Sequence, residues 1–407
     1  MVKRVLPVYF VVFLGYIGYS LFLTIFAPLF LKGNFGGFEG STKLIMLGLL
    51  IFLYPFGQFL SSPVLGALSD RFGRKPLLLF SLGVACLVYV AVGIGLLFKI
   101  IWLIYVALFA AGLSEGNITI AQSAVADVSR KEERHRLFGY IYLAASCSYV
   151  VGPVLGGWLA NINGAYELPF FIVAGMMAVA FVWTAVSFKE TVKKRVKVSY
   201  VEGFTNFKNV GNRGFRFWFL VNFLLYLGVF GFLQGYPIFL VARFGMGVGK
   251  LSLMITWTDL AFIVVNLFLM GYFGRKFLAQ RVLLWMGVLL AAVMGTMILP
   301  PYEDAMWGFS IVAGFACAVI LPMSSSLISV MARENEQGRM MGVNQSLNFL
   351  TEALAGLGFG LLAGAWVKLA MIFFGCMALV AALLLAFKYG RKHERVVHHE
   401  QKDSVGH

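Results

Sequence analysis

Three acidic residues, Glu115, Asp259 and Glu352, stand near the middle of long apolar runs. A charge at the centre of a bilayer costs about 2.5–3.5 kcal/mol on insertion scales, so such residues face a partner or a water-filled cavity. A carboxyl held out of bulk water suits two tasks: binding and releasing a proton, or pairing with a cation. The alternative is a hydrogen-bonded structural acid, and for Asp259 the two readings are evenly matched. Ser252, Thr256, Asp259 and Asn266 form a polar stripe at helical spacing, and Gln345, Asn348 and Glu352 form another. Thr119 extends the face of Glu115. Histidine cannot share this work, because His135, His393, His398, His399 and His407 fall in a polar loop or the tail. No Lys or Arg lies at mid-run, which disfavours an anionic ligand. Acids among aromatics suit a cation or a lipophilic, uncharged molecule. The candidate wall residues are Tyr16, Tyr54, Gln58, Asn117, Asn222, Tyr226, Gln234, Trp257 and Asn348.

The elements that must position these residues are membrane helices. Of 407 residues, 60% are hydrophobic and only 13% charged, too few charges to cover a soluble protein of this size. A bilayer crossing needs about 20 apolar residues. Twelve runs qualify: 6–30, 44–68, 76–98, 101–127, 137–160, 169–188, 216–241, 251–273, 281–300, 306–331, 340–363 and 366–388. All must be helices, since lipid offers an open backbone no partner. The expected fold is an all-α membrane protein with twelve transmembrane helices in two six-helix bundles. The bundles are residues 1–188 and 216–388, with a cytoplasmic linker 189–215 and a tail 389–407.

The net charge of +15 does not point to nucleic acid. With both termini cytoplasmic, all the Lys and Arg fall inside except Lys32, Lys43, Lys99, Arg243, Lys250 and Lys368. That bias fixes an even number of spans and places basic loops beside acidic lipid. Cys86, Cys147, Cys317 and Cys376 lie inside spans without metal-ligand spacing. The first apolar run is too long for a signal-peptide core and reads as a retained helix. No HExxH, CxxC or Gly-Lys-Ser/Thr phosphate loop occurs, so neither an enzyme nor an ATP-driven pump is indicated, and no cofactor or metal. A receptor without transport would not require acids in both halves.

Residues 66–76 read Gly-Ala-Leu-Ser-Asp-Arg-Phe-Gly-Arg-Lys-Pro, between the second and third runs. This GxxxDRxGRK pattern resembles the signature loop of the major facilitator superfamily. A weak internal repeat agrees: Glu133 to Gly139 matches Glu336 to Gly342 at an offset of 203 residues. Gly271 to Lys276 looks like a decayed copy of the loop, with Arg275 in the acidic position. The resemblance implies a gating motif of Gly66, Asp70, Arg71, Gly73, Arg74 and Lys75. Asp70 would cap or pair across the bundles at the cytoplasmic side, and Arg74 would pair with Asp127.

Gly152-Pro153-Val154-Leu155-Gly156-Gly157 resembles the GPxxGG element of the drug:proton antiporter branch. In it Gly152, Pro153, Gly156 and Gly157 would serve close helix packing. The intramembrane Arg of that branch aligns with Leu108 here, through Gly112 and Asp127. The resemblance implies a secondary transporter of the inner membrane, a monomer whose partners are a small-molecule substrate, protons and lipids. Efflux of a cationic or amphipathic molecule by proton antiport is the leading expectation, with Glu115, Glu352 and Asp259 as the proton-coupling and substrate residues. Leu108 and a first span without an acid keep open proton-coupled uptake of a nutrient, amine or metallophore.

Overall fold

The computed structural model describes residues 2–33, 35–115, 117–128, 131–160, 164–191, 213–331 and 337–404, some of them, Asp70 and Asn117 included, by backbone alone. No strand occurs among the described residues. Each expected apolar run is helical. Spans 1 to 3 are Val2–Leu31, Ser41–Phe72 and Arg74–Leu97. Span 4 is made of two pieces, Ile101–Ser114 and Asn117–Val128. Spans 5 to 7 are Lys131–Ala160, Leu168–Ser187 and Arg213–Phe244. Span 8 runs as Val248–Val264, Val265–Leu269 and Met270–Lys276. Spans 9 to 12 are Ala279–Thr296, Ala305–Met331, Gln337–Ala365 and Val367–Ser404.

Three features depart from the expected runs. Span 4 is interrupted at Glu115, whose backbone (φ −89°, ψ 58°) leaves the helical region. Span 8 contains a wide π turn, Val265–Leu269. Asn266 is the second residue of this turn and lies off the polar stripe. Asn266 is exposed and donates back to the Phe262 carbonyl at 2.8 Å. The last helix also continues past 388 into the expected tail, ending at Ser404.

Span 1 packs on spans 5 and 6, span 2 on span 4, and span 3 on span 6. In the second half span 7 packs on span 12, span 9 on spans 10 and 12, and span 8 on span 10. The halves meet where span 2 crosses span 11 and span 5 crosses span 8. Lipid is as apolar as Leu, so such contacts depend on small residues that let backbones approach. Gly356, Gly360 and Gly364 recur every four residues on span 11 and face the start of span 2. A methyl built on Gly48 would lie 2.7 Å from the Gly360 Cα, and one on Gly364 would lie 3.5 Å from the Ser41 Cβ. A methyl on Gly157 of span 5 would meet Ser252 of span 8. These crossings lie at the end of the molecule where spans 2 and 8 begin and span 11 finishes, away from the chain termini. The two halves are therefore sealed together at that far end.

Candidate functional site

The interruption of span 4 gives Glu115 its setting. Spans 2 and 4 touch backbone to backbone: a methyl on Gly57 would lie 2.8 Å from the Phe109 carbonyl oxygen, and one on Gly112 would strike the Tyr54 carbonyl. Tyr54, Gln58 and Ser61 follow at helical spacing on span 2 and turn their polar ends to the break. Tyr54 donates its hydroxyl to Glu115 Oε2 at 2.6 Å. Tyr89 of span 3 donates to Oε1 at 3.4 Å. Gln58 donates to the Tyr54 oxygen at 3.1 Å and reaches the Glu115 carbonyl at 3.5 Å.

Glu352 of span 11 has matching surroundings, but its partners come from other spans. Tyr19 of span 1 donates to its Oε1 at 2.6 Å, and Gln234 of span 7 donates to the same oxygen at 3.2 Å. Gln234 also donates to the Tyr19 hydroxyl at 2.8 Å. The Tyr19 and Tyr54 rings stack, centroids 4.5 Å apart and planes 18° apart. A continuous path thus runs from Glu115 through Tyr54 and Tyr19 to Glu352, crossing from one half of the molecule to the other. Among the described residues neither glutamate forms an ion pair. Among the described residues each carboxyl is held by neutral donors alone, so it can take up a proton or a cation without first displacing a paired Lys or Arg.

Asp259 of span 8 is buried and has no hydrogen-bond or ion-pair partner among the described residues. It lies within electrostatic reach of Tyr149, which also feels Glu352. The Tyr149 ring is 5.4 Å from that of Tyr16 and 6.5 Å from that of Tyr19. Nearby in sequence, the buried oxygens of Asn348 (Oδ1) and Thr256 (Oγ1) lack a partner among the described residues, as does Oε1 of Gln234. Beside the tyrosine stack a small apolar pocket is lined by Phe22, Leu50, Ile51 and Leu108, together with Tyr19, Tyr54 and Gln234.

The second cluster lies at the end of the molecule nearer the termini. Arg74 donates from Nε to Asp127 Oδ2 at 3.1 Å and bonds the Ser69 hydroxyl through a second nitrogen. Thr191 donates to the same Asp127 oxygen at 3.0 Å. Glu190 accepts the backbone N–H groups of Arg74 at 2.9 Å and Lys75 at 3.1 Å, so its carboxylate caps the start of span 3. Gly73 permits this in two ways. Its φ of 109° suits glycine, and a methyl there would strike the Glu190 carboxylate. Lys75 donates to the Ala185 carbonyl at 2.6 Å, and Arg71 lies over the Phe72 ring. These contacts tie together spans 2, 3, 4 and 6 of one half. The expected pairing of Asp70 across the halves, like the side of Gly66, falls outside the described side chains.

A two-half helical fold with glutamates at its centre and a charged loop after span 2 fits the family model for the Major Facilitator Superfamily. That model matches residues 8–258 and 218–405. The chain belongs to this superfamily. Within it, the chain is 26% identical over 370 residues to Multidrug resistance protein 2 of Bacillus subtilis (strain 168), covering 86% of this chain and 87% of that protein. It is 27% identical over 372 residues to the class E tetracycline resistance protein of Escherichia coli, covering 88% of each. Among solved structures, the human organic anion transporter MFSD10 (TETRAN) superposes with a TM-score of 0.71 at 20% identity, covering 94% of this chain and 99% of that one. The protein is therefore an integral membrane transporter with a small-molecule substrate, similar to tetracycline and multidrug resistance proteins and not an enzyme.

Against this facilitator fold the remaining expected residues separate clearly. Tyr54, Gln58, Gln234, Glu115 and Glu352 come together. Tyr16 adjoins them through Tyr149, and Asn348 sits one turn before Glu352. Asn222 and Tyr226 do not join them. Asn222 donates to Asn344 at 3.2 Å, and the Tyr226 hydroxyl accepts from Ser324 at 3.0 Å, in a polar core of spans 7, 10 and 11. Trp257 is also set apart. It stands about 200° around the helix from Asp259. It is exposed, and its indole donates to the Trp307 carbonyl at 3.2 Å. The Asn117 side chain lies outside the described residues. A methyl on Gly152 or Gly156 would strike span 1 at Ser20 or Leu21, whereas Gly157 faces span 8. The GPxxGG element thus packs span 5 against both halves, with Pro153 buried between its glycines. Sequence reasoning missed Tyr19, Tyr89, Tyr149, Glu190 and Thr191. Only Tyr19 left a signal, one helical turn after Tyr16.

Proposed function

We propose that this facilitator exports a cationic or amphipathic small molecule in exchange for protons. Alternating access would take place between two six-helix bundles, residues 1–188 and 216–388, joined by the linker 189–215. The observation that carries this reading is the tyrosine-bridged pair Glu115 and Glu352, each 2.6 Å from a phenol and joined across the halves. A proton on Glu352 converts an oxygen that accepts from Tyr19 and Gln234 into a donor, which loosens a contact between the bundles. A substrate cation competes for the same oxygens, so proton and substrate favour different states. Asp259, unpartnered among the described residues, assists. The tetracycline and multidrug resistance proteins among the relatives support export of drug-like molecules.

In this reading the protein is a monomer in the inner (cytoplasmic) membrane, its basic loops beside acidic lipid. Both termini are cytoplasmic, so the sealed end faces outward and the cluster of Arg74, Asp127 and Glu190 stands at the cytoplasmic gate. Leu108, in place of the branch Arg, and a first span without an acid leave proton-coupled uptake of a nutrient, amine or metallophore as the second reading.

The pH dependence of dye flux tests the reading. In proteoliposomes carrying ethidium, lowering the pH on the outward side at fixed inner pH should accelerate export by the unmodified protein. Glu115→Gln should export slowly and at the same rate whatever the outer pH. An unchanged pH response in this variant would remove Glu115 from the proton pathway.

A further inference from the structure

We propose that span 4 is a two-part lever with its fulcrum at Glu115, and that Gln58 and Ser61 of span 2 are the positioning residues that hold the fulcrum. An interrupted helix leaves carbonyls that lipid cannot satisfy. Here span 2 meets them: Ser61 donates to the Gly112 carbonyl at 3.1 Å and Gln58 reaches that of Glu115 at 3.5 Å. The break is therefore written into two helices and is not a local fault of one. The two pieces also have different neighbours. Ile101–Ser114 packs on spans 2 and 3, fixed by the close approach of Gly57 and Gly112. Asn117–Val128 meets spans 1 and 5 as well.

The second piece is a 12-residue rod, about 18 Å long. It starts two residues after Glu115 and carries Asp127 at its other end, bonded to Arg74 and Thr191. A tilt of about 6° at the fulcrum moves the end of a rod this long by roughly 2 Å. That displacement exceeds what a 3.1 Å hydrogen bond tolerates. A change around Glu115 is thus read at Arg74 and Asp127, and by linkage a change at Asp127 is read at Glu115. The proposal concerns the backbone of span 4 and holds whether Glu115 takes a proton or a substrate.

Hydrogen–deuterium exchange on the full-length protein in nanodiscs tests it without any substrate. Ser61→Ala and Gln58→Leu should each raise exchange several-fold in peptides covering 117–128 and 73–76, leaving 101–111 and spans 9 and 12 as they were. Asp127→Asn should raise exchange at 113–118 in return. Tyr105→Phe removes a different bond between span 4 and span 2, the 2.7 Å contact with the Met46 carbonyl, and should leave 117–128 unchanged. Exchange confined to span 2 and residues 101–114, or an equal response to Tyr105→Phe, would overturn the lever. If Gln58→Leu fails to fold, Ser61→Ala and Asp127→Asn decide the matter alone.

Discussion

Exchange of Glu352 for Gln is expected to abolish transport against a gradient, with the protein still folded and inserted. The amide has nearly the volume of the acid, and its oxygen still accepts from Tyr19. The Glu352→Gln variant therefore keeps the packing between spans 1, 7 and 11 and loses only the ionisable group. Uphill dye flux, measured in proteoliposomes under an imposed pH gradient, is expected to fall to the level of protein-free vesicles. Exchange of labelled for unlabelled dye without a gradient should persist, because it needs the cavity and not the proton. Uphill flux at the unmodified rate would take Glu352 out of the mechanism. Loss of folding instead would assign it a structural role.

The second large effect concerns the sealed end. A Cβ at position 364 would lie 3.5 Å from that of Ser41, at the short end of the range that disulfides span. Ser41→Cys combined with Gly364→Cys, in a background lacking Cys86, Cys147, Cys317 and Cys376, should cross-link spans 2 and 11 on mild oxidation. If the halves must part there in every cycle, transport should fall to background with the extent of cross-linking and return on reduction. Full transport by a completely cross-linked protein would mean that this end never opens.

Much of this was legible in the sequence because the membrane leaves few options. Apolar runs of crossing length must be helices, and the charge bias and the GxxxDRxGRK loop order them. The acids at 115 and 352 were legible for the same reason: their cost in lipid marks them. Their donors were legible only in part. Tyr54 and Gln58 share a helical face, but Tyr89 reaches Glu115 from another helix, a tertiary contact that no spacing encodes. Trp257 was misplaced because an aromatic in a membrane helix serves lipid and cavity faces alike. The break in span 4 and the π turn in span 8 escaped because periodicity assumes an unbroken helix, and both interrupt one beside polar residues. Glu190 looked like part of a charged linker. Its role follows from the geometry of Gly73, where only a backbone without a side chain leaves room for a carboxylate.

Proton movement driven by substrate tests the central claim most directly. Proteoliposomes holding the full-length protein and a pH-sensitive dye, given ethidium on one side without an imposed gradient, would show protons moving opposite to ethidium. That movement should vanish in Glu115→Gln and Glu352→Gln. Protons moving with ethidium would make the protein an uptake symporter, and ethidium flux with no proton movement would contradict proton coupling through the two glutamates.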